Sequence, residues 1–260
     1  MWPWGRADLV VFVVRGPKDR YVLDLQVMSD NEPTAPEPAR DDVEALNDHL
    51  ARRYPIDDYY ERSILPIRWI EGRRLAVIRA FVDEREGMRI AEVGSGGGHV
   101  LRMFRRSKLT AIDVSDVFLD TARKNLRGYD VAFIKGEIDK LIPLPTGFDR
   151  VICTEVLEHT LDPRAILAAI VRMLAPGGRA VITVPNDPLI LRLKTMVRLT
   201  PVGWAMRERV NWGGDHLHLH QWTPSRFREL LAEHFHVLTY RAAPSAALPI
   251  RACFLCAPKR

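Results

Sequence analysis

The chain has 260 residues, a formal net charge of +5 and an apolar fraction of 47%. This length allows one large domain, or one domain with an appendage, and the apolar fraction is ordinary for a folded core. No stretch reaches the roughly 18 apolar residues that cross a bilayer, and the start lacks the features of a signal peptide. We therefore expect a cytoplasmic protein. Its mild positive charge permits nucleic acid or an anionic membrane surface as a partner and requires neither.

The three cysteines, Cys153, Cys253 and Cys256, do not indicate a disulfide framework, because their number is small and odd. Cys253 and Cys256 lie three residues apart in an apolar run. In a strand, such residues point to opposite faces, which makes a shared metal awkward. We predict that they are buried strand residues.

The first 40 residues are predicted to form an appendage. Two β-rich runs at 9–14 and 21–28 flank a segment with turn residues, which indicates a β-hairpin. The proline-rich stretch 29–40 indicates a linker. The remaining residues, 41–260, form the main domain, which begins with a polar helix over 41–53 and a longer helical region over 57–85, interrupted near Pro66.

From Met88 onward, strands alternate with helices. This alternation predicts βαβ units and an α/β fold with a mostly parallel sheet of seven strands. The last two strands are joined by a connection too short for a crossover helix, so we expect them to be antiparallel. The predicted strands cover 89–93, 109–113, 131–134, 149–154, 179–184, 235–240 and 250–257. The predicted helices cover 97–106, 116–126, 162–174 and 224–233.

The organising feature of this domain is the glycine-rich loop Gly94-Ser95-Gly96-Gly97-Gly98, which follows the first strand. Glycine lets the backbone turn sharply and approach a ligand closely, and the amides that follow can face a polar or anionic group. The pattern predicts a nucleotide-type pocket at the end of a strand. A dinucleotide fingerprint, GxGxxG, needs a further glycine where His99 stands, so that match is imperfect.

Five segments in chain order resemble the motifs of class I S-adenosylmethionine-dependent methyltransferases, and most closely the small-molecule branch that contains the ubiquinone-pathway O-methyltransferases. They are Glu92-Val93-Gly94-Ser95-Gly96, Asp113 at the end of the second strand, Lys135-Gly136-Glu137-Ile138, Gly147-Phe148-Asp149, and Leu174-Ala175-Pro176-Gly177-Gly178. The resemblance spans roughly residues 57–257 and implies a Rossmann-like fold with S-adenosylmethionine as cofactor. It implies cofactor contacts from Glu92, Gly94, Ser95, Gly96, Asp113, Val114, Glu137, Ile138 and Thr154.

The segment Thr154–His159 follows the fourth strand and carries the candidate acceptor chemistry. If a helical turn begins here, Glu155, Glu158 and His159 lie on one face. Two carboxylates and an imidazole suit a divalent metal such as Mg²⁺, or they orient one another and leave His159 as a general base. A third interpretation is that they only brace the turn.

This segment also resembles the ExxEH element of the ubiquinone-pathway enzymes and of the small-RNA 3′-terminal 2′-O-methyltransferases. The resemblance implies that Glu155, Glu158 and His159 join a distal histidine, His216, to hold a metal beside the acceptor hydroxyl, with Glu155 and His159 as the catalytic pair. His218 and His220 alternate with His216 and stay open as further ligand candidates.

The connection 185–223 is predicted to be a substrate-side insertion. Apolar residues at helical spacing, including Leu189, Leu193 and Met196, share it with several arginines and a lysine. A basic amphipathic segment suits a lid, a lid that also contacts a lipid-like substrate or an anionic membrane, or RNA phosphates. We expect methyl transfer to an oxygen of a small or lipid-like acceptor. The alternatives are an RNA 2′-O-methyltransferase and a non-catalytic, cofactor-binding partner subunit.

Overall fold

The computed structural model describes residues 11–15, 21–25, 48, 65–205 and 218–259. The strands in this part of the chain are β1 (Val11–Arg15), β2 (Tyr21–Leu25), β3 (Arg89–Val93), β4 (Lys108–Asp113), β5 (Val131–Lys135), β6 (Phe148–Thr154), β7 (Leu174–Pro185), β8 (Phe235–Ser245) and β9 (Leu248–Pro258). The α-helices are α1 (Leu65–Val82), α2 (Asp116–Asn125), α3 (Pro163–Met173), α4 (Asp187–Arg198), α5 (Pro201–Ala205) and α6 (Pro224–His234).

Seven of the strands form one sheet in the order β5-β4-β3-β6-β7-β9-β8. The five strands β3 to β7 are parallel to one another, whereas β9 is antiparallel to both β7 and β8. β1 and β2 form a separate antiparallel pair. This topology confirms the predicted α/β fold, its antiparallel end and the N-terminal hairpin. The order reverses at β3 and β6, where ligands bind in open α/β sheets.

Each face of the sheet is covered by helices. One apolar core contains Leu167 of α3 and Leu231 of α6, and the other contains Ile78 of α1 and Leu119 of α2. Cys256 belongs to the first core and Cys253 to the second, so these thiols lie on opposite faces as predicted. Burial raises the pKa of both thiols to about 12, which keeps them protonated.

Short polar side chains cap the N-termini of three of these helices. The Ser115 hydroxyl accepts a hydrogen bond from the Phe118 N–H, and the Asp162 carboxylate accepts from the Arg164 and Ala165 N–H groups. The Thr223 hydroxyl accepts from the N–H of Arg226. These caps satisfy N–H groups that have no partner inside the helix, and they explain why the predicted starts of α2, α3 and α6 are accurate within a residue.

The helix predicted over 97–106 is wrong. In its place the chain makes turns and a single 3₁₀ turn at Leu101–Met103. Gly96 and Gly98 have φ of 49° and 76°, which a right-handed helix does not accommodate, and glycine is a poor helix former. Phe104 then adopts an extended backbone and buries its ring completely.

Several predicted features lie outside the described residues. They are the linker 29–40, the helix 41–53 apart from Asp48, residues 57–64 and the part of the insertion at 206–217, which includes His216. The chain divides into two compact units, one made of residues 1–36 and 187–216 and the other of residues 37–186 and 217–260. None of the helices described here combines the length and apolar character that a bilayer crossing requires.

The loop glycine at position 94 generates a test of the fold. Its φ of 67° costs an alanine about 1–2 kcal/mol, and an added Cβ would overlap a methyl group of Val156. Gly94→Ala should therefore destabilise the protein by about 1–3 kcal/mol more than the backbone penalty alone. Gly87→Ala is the matched control, because its φ is 72° and no described atom lies within 4 Å of its added Cβ.

Urea unfolding of both variants measures this difference. Val156→Ala in the Gly94→Ala background should recover most of the excess. Equal losses of unfolding free energy at the two glycines would show that the close approach to Val156 does not constrain the loop.

Candidate active site

The glycine-rich loop is tied to the end of β4 by backbone hydrogen bonds. The Ser95 N–H donates to the Ile112 carbonyl at 3.0 Å, and the Gly96 N–H donates to Asp113 Oδ2 at 2.8 Å. The other carboxylate oxygen of Asp113 accepts from the Ser115 N–H at 3.0 Å. Burial raises the pKa of Asp113, although these N–H groups oppose the shift. Each carboxylate oxygen keeps a further lone pair, so Asp113 can still accept hydrogen bonds from the hydroxyl groups of a ligand.

Two buried polar groups beside this loop have atoms without a hydrogen-bond partner among the described residues. They are the Ser95 hydroxyl and Oε2 of Glu92. The other oxygen of Glu92 accepts a long hydrogen bond, 3.4 Å, from the Thr154 hydroxyl. Because buried polar atoms in proteins are nearly always hydrogen-bonded, these two atoms mark a place for a polar ligand.

Burial makes the Glu92 carboxyl a much weaker acid than usual. It raises the pKa of this carboxyl to about 8, despite the opposing charge of Arg74 and the hydrogen bond from Thr154. Asp113 adds a smaller effect in the same direction as burial. Glu92 therefore holds its proton at neutral pH in the absence of a ligand.

A cavity of about 260 Å³ lies at the ends of β4 and β5. Its lining residues are Val114, Gly136, Glu137, Lys140 and Leu141. The Glu137 carboxylate forms an ion pair with Lys140 at 2.7 Å, and the hydrogen bond from Glu137 raises the pKa of the lysine. Ile138, in contrast, is buried in the core, so only its backbone can serve a ligand. The structure thus brings the predicted pair Val114 and Glu137 to one cavity.

Across the sheet, the turn after β6 brings together three potential metal ligands. Ligand atoms of Glu158, His159 and His218 all lie within 4.8 Å of one another. The His159 and His218 rings meet edge to face, with centroids 4.8 Å apart. The segment carrying His218 is held by bonds from the Leu219 N–H to the Glu158 carbonyl at 2.8 Å and between His220 Nε2 and the Thr160 carbonyl at 3.0 Å.

The turn does not place Glu155, Glu158 and His159 on one face, contrary to the prediction. The 3₁₀ turn begins at Leu157, and Glu155 precedes it with a left-handed φ of 55°. Its carboxylate accepts a hydrogen bond from Thr183 at 2.8 Å and contacts Arg251 Nε at 3.0 Å. Glu155 therefore stands apart from the cluster of Glu158, His159 and His218. His216 lies outside the described residues.

Sequence reasoning missed the residues that hold Glu155. Arg251 contacts both Glu155 and Glu71, and Glu71 in turn pairs with Arg74. A signal was available, because Arg251 is the only charged residue in β9, whose sequence is otherwise apolar. A lone charge in a buried strand usually has a buried partner. Nothing in the sequence identified that partner, since Glu71, Glu155 and Arg251 belong to distant segments.

The raised pKa of Glu92 generates a test of the site. In the folded protein Glu92 keeps its proton up to about pH 8, whereas the ordinary value for this carboxyl is 4.5. Between these values the folded state binds more protons than the unfolded state, so the free energy of unfolding falls as pH rises. The contribution is complete below the lower value and is lost as pH rises through the upper one.

Urea unfolding of the ligand-free protein between about pH 5 and about pH 8.5 measures this loss, which is at most about 1.4 kcal/mol per pH unit. Glu92→Gln should flatten the dependence. Glu229→Gln, at an exposed position on α6, should keep the wild-type slope. An unchanged slope in Glu92→Gln would contradict the assignment of this proton.

Comparison with known proteins agrees with this geometry. Residues 91–182 match a family model described as a methyltransferase domain. The chain is 34% identical over 131 residues to the mitochondrial ubiquinone biosynthesis O-methyltransferase of Schizosaccharomyces pombe, a match that covers 45% of this chain and 47% of the relative. It is 26% identical over 192 residues to the ubiquinone biosynthesis O-methyltransferase of Erwinia tasmaniensis, covering 70% and 79%. The chain spans about half the length of the relatives that it matches at 34% identity.

Solved structures show the same fold. Magnesium protoporphyrin IX methyltransferase from Synechocystis, with bound SAH, superposes with a TM-score of 0.60 at 14% identity, covering 83% of this chain and 99% of that one. At such identity the likeness concerns the fold alone. The matched segment and the seven-stranded topology show a methyltransferase domain with a Rossmann-like fold, and the chain is similar to the class I S-adenosylmethionine-dependent methyltransferases.

Proposed function

We propose that this protein transfers a methyl group from S-adenosylmethionine to an oxygen of a small-molecule acceptor. The observation that carries the proposal is the glycine loop fastened to Asp113, with the unsatisfied Ser95 hydroxyl and Glu92 oxygen beside it. These groups lie within or next to the segment that matches the methyltransferase domain. An acceptor-side cluster at the end of β6, the neighbour of β3, completes the arrangement.

The cofactor would be held by groups at the ends of four strands, β3, β4, β5 and β6. Gly94, Ser95 and Gly96 would face its amino-acid part, because glycines there leave the backbone open to close approach. Asp113 would accept the ribose hydroxyls, as acidic residues do at this position in Rossmann-like sites. Val114, Glu137 and the Ile138 amide would serve the adenine at the cavity between β4 and β5. Thr154 would contact the cofactor from β6.

The acceptor would be activated at the cluster after β6. In methyl transfer the acceptor oxygen attacks the methyl carbon, the carbon–sulfur bond breaks, and its electron pair stays on the sulfur. The hydroxyl proton must leave, and the imidazole of His159, which is exposed, would take it. His159 would then act as the general base, with Glu158 and His218 fixing its ring.

A divalent metal is the second way in which this cluster would work. One carboxylate and two imidazoles form a donor set that suits zinc, manganese or iron better than Mg²⁺, which prefers oxygen ligands. We therefore propose Glu158, His159 and His218 as the ligands, in place of a set that includes Glu155. A bound metal would supply Lewis-acid chemistry that lowers the pKa of the acceptor hydroxyl.

The acceptor itself is proposed from the relatives, which are named for ubiquinone biosynthesis. A small, lipid-like molecule with a hydroxyl group is the corresponding class. In the insertion, α4 exposes Met196 and Val197, and the exposed residues Leu199 and Trp204 follow it. Exposed apolar side chains of this kind commonly mark a surface that contacts a partner or a lipid. Contact of this segment with an anionic membrane stays a prediction.

Replacement of Asp113 tests the cofactor site. Asp113→Ala removes the acceptor for the ribose hydroxyls and releases Gly96, so it should weaken S-adenosylhomocysteine binding by about 10- to 100-fold. Asp116→Asn is the control, because this carboxylate is three residues away along the chain and pairs with Lys135 in an exposed position. Isothermal titration calorimetry measures both. Failure of the wild-type protein to bind either form of the cofactor would contradict the proposed function.

Replacement of His218 tests the metal proposal. His218→Ala should weaken zinc or manganese binding by about 10- to 100-fold in a calorimetric titration, because one of three ligands is lost. His236→Ala, at an exposed position on β8, should bind the metal as the wild type does. Methyl transfer that persists unchanged after chelation would rule out the metal and leave His159 as the base.

A further inference from the structure

Four charged side chains lie in contact along a line at the carboxyl edge of the sheet, beside the proposed acceptor site. They are Arg74, Glu71, Arg251 and Glu155. Arg251 lies at the centre of this line, with Nη2 3.2 Å from Glu71 Oε1 and Nε 3.0 Å from Glu155 Oε2. Arg74 Nε donates to Glu71 Oε2 at 2.7 Å. At the other end, the Thr183 hydroxyl donates to Glu155 Oε1 at 2.8 Å. The line therefore joins α1, β9, the turn after β6 and the end of β7.

These charges are withdrawn from water. Glu71 and Arg74 are 4% and 3% exposed, and the Arg251 side chain is 17% exposed. Burial alone would raise the pKa of Glu71, but Arg74 and Arg251 outweigh it and lower the pKa below its ordinary value. Glu71 thus remains ionised and anchors Arg251 from behind. Buried pairs of this kind are costly to break, because removal of one member leaves the other unpaired.

Glu155 is fixed more firmly than a surface carboxylate requires. Its backbone has a left-handed φ of 55°, an uncommon state for a residue with a side chain, and its N–H donates to the Thr183 carbonyl at 3.1 Å. Both carboxylate oxygens have partners, one in Thr183 and one in Arg251. Strain of this kind persists only where the surrounding structure over-determines it, and it is common at functional sites.

We propose that Arg251 is a positioning residue that, backed by Glu71, holds the Glu155 carboxylate beside the methyl-transfer site and apart from the cluster of Glu158, His159 and His218. The inference rests on the proposed function. Glu155 follows Thr154 of the cofactor side and precedes the acceptor-side cluster. Its fixed negative charge would orient the acceptor or the positively charged sulfonium that carries the methyl group, and Arg251 would act on the reaction only through Glu155.

A double-variant cycle with Arg251→Met and Glu155→Gln tests this dependence. Each single variant should lower kcat by about 10- to 100-fold, the range found when a supporting partner of a site residue is removed. KM for the cofactor should change little. Once Glu155 is neutral, Arg251 has no site carboxylate to hold, so the double variant should be no slower than the slower single variant.

Two further variants serve as a conservative replacement and as a control. Arg251→Lys retains the charge but has one nitrogen in place of the two that contact Glu71 and Glu155, so it should recover only part of kcat. It replaces Arg251→Met in the cycle if that variant does not fold. Arg150→Met is the control for loss of a buried arginine, because Arg150 donates to the Val82 carbonyl at 2.9 Å near the amino end of β6. Its loss should lower the melting temperature, and any effect on kcat should multiply with that of Glu155→Gln.

The possible outcomes distinguish failure of the proposed function from failure of the proposed role of Arg251. A wild-type protein that transfers no methyl group overturns the proposed function and this inference with it. An active wild type in which the effects of Arg251→Met and Glu155→Gln multiply, or in which Arg251→Met lowers only the melting temperature, overturns the inference alone. Non-additive losses in kcat, absent from the Arg150 pair, support it.

Discussion

The hydrogen bond from the Gly96 N–H to Asp113 Oδ2 is the constraint on which the candidate site depends. It joins the loop after β3 to the end of β4, across two neighbouring parallel strands. Because the same carboxylate also accepts from Ser115, the residue that caps α2, one side chain fixes the loop, the strand end and the start of a helix. Glycines are needed here because the loop turns through left-handed φ values against Val156.

After β6, the chain separates the carboxylates of Glu155 and Glu158, which are close together in the sequence. Glu158 points into the cluster with His159 and His218, whereas Glu155 is held by Thr183 and Arg251. The division follows from the backbone, since the left-handed φ of Glu155 and the late start of the 3₁₀ turn place the two side chains in different surroundings. A metal, if bound, has three ligands among the described residues at this turn. Glu155 is not among these three, because its carboxylate contacts Thr183 and Arg251 instead.

Much of this fold could be predicted from the sequence, because its signals are local. Caps such as Asp162 and Thr223 and apolar runs such as that of β6 mark elements within a residue or two. The helix over 97–106 failed because three consecutive glycines outweigh the apolar spacing that follows them. Candidate site residues such as Asp113 and Glu137 could be proposed from the sequence because their motifs resemble those of a known family. Arg251 and Glu71 could not be proposed in this way, because only the tertiary fold brings segments 180 residues apart into contact.

The central claim is that the glycine loop, Asp113 and the turn after β6 together form a methyl-transfer site. The most direct measurement is transfer of isotopically labelled methyl from S-adenosylmethionine to a panel of small and lipid-tailed hydroxyl compounds, with the labelled product identified by mass spectrometry. We expect a methyl ether on one class of acceptor, formed in equal amount to S-adenosylhomocysteine and abolished by His159→Ala. Binding of the cofactor without label in any acceptor, or label that persists in His159→Ala, would contradict it.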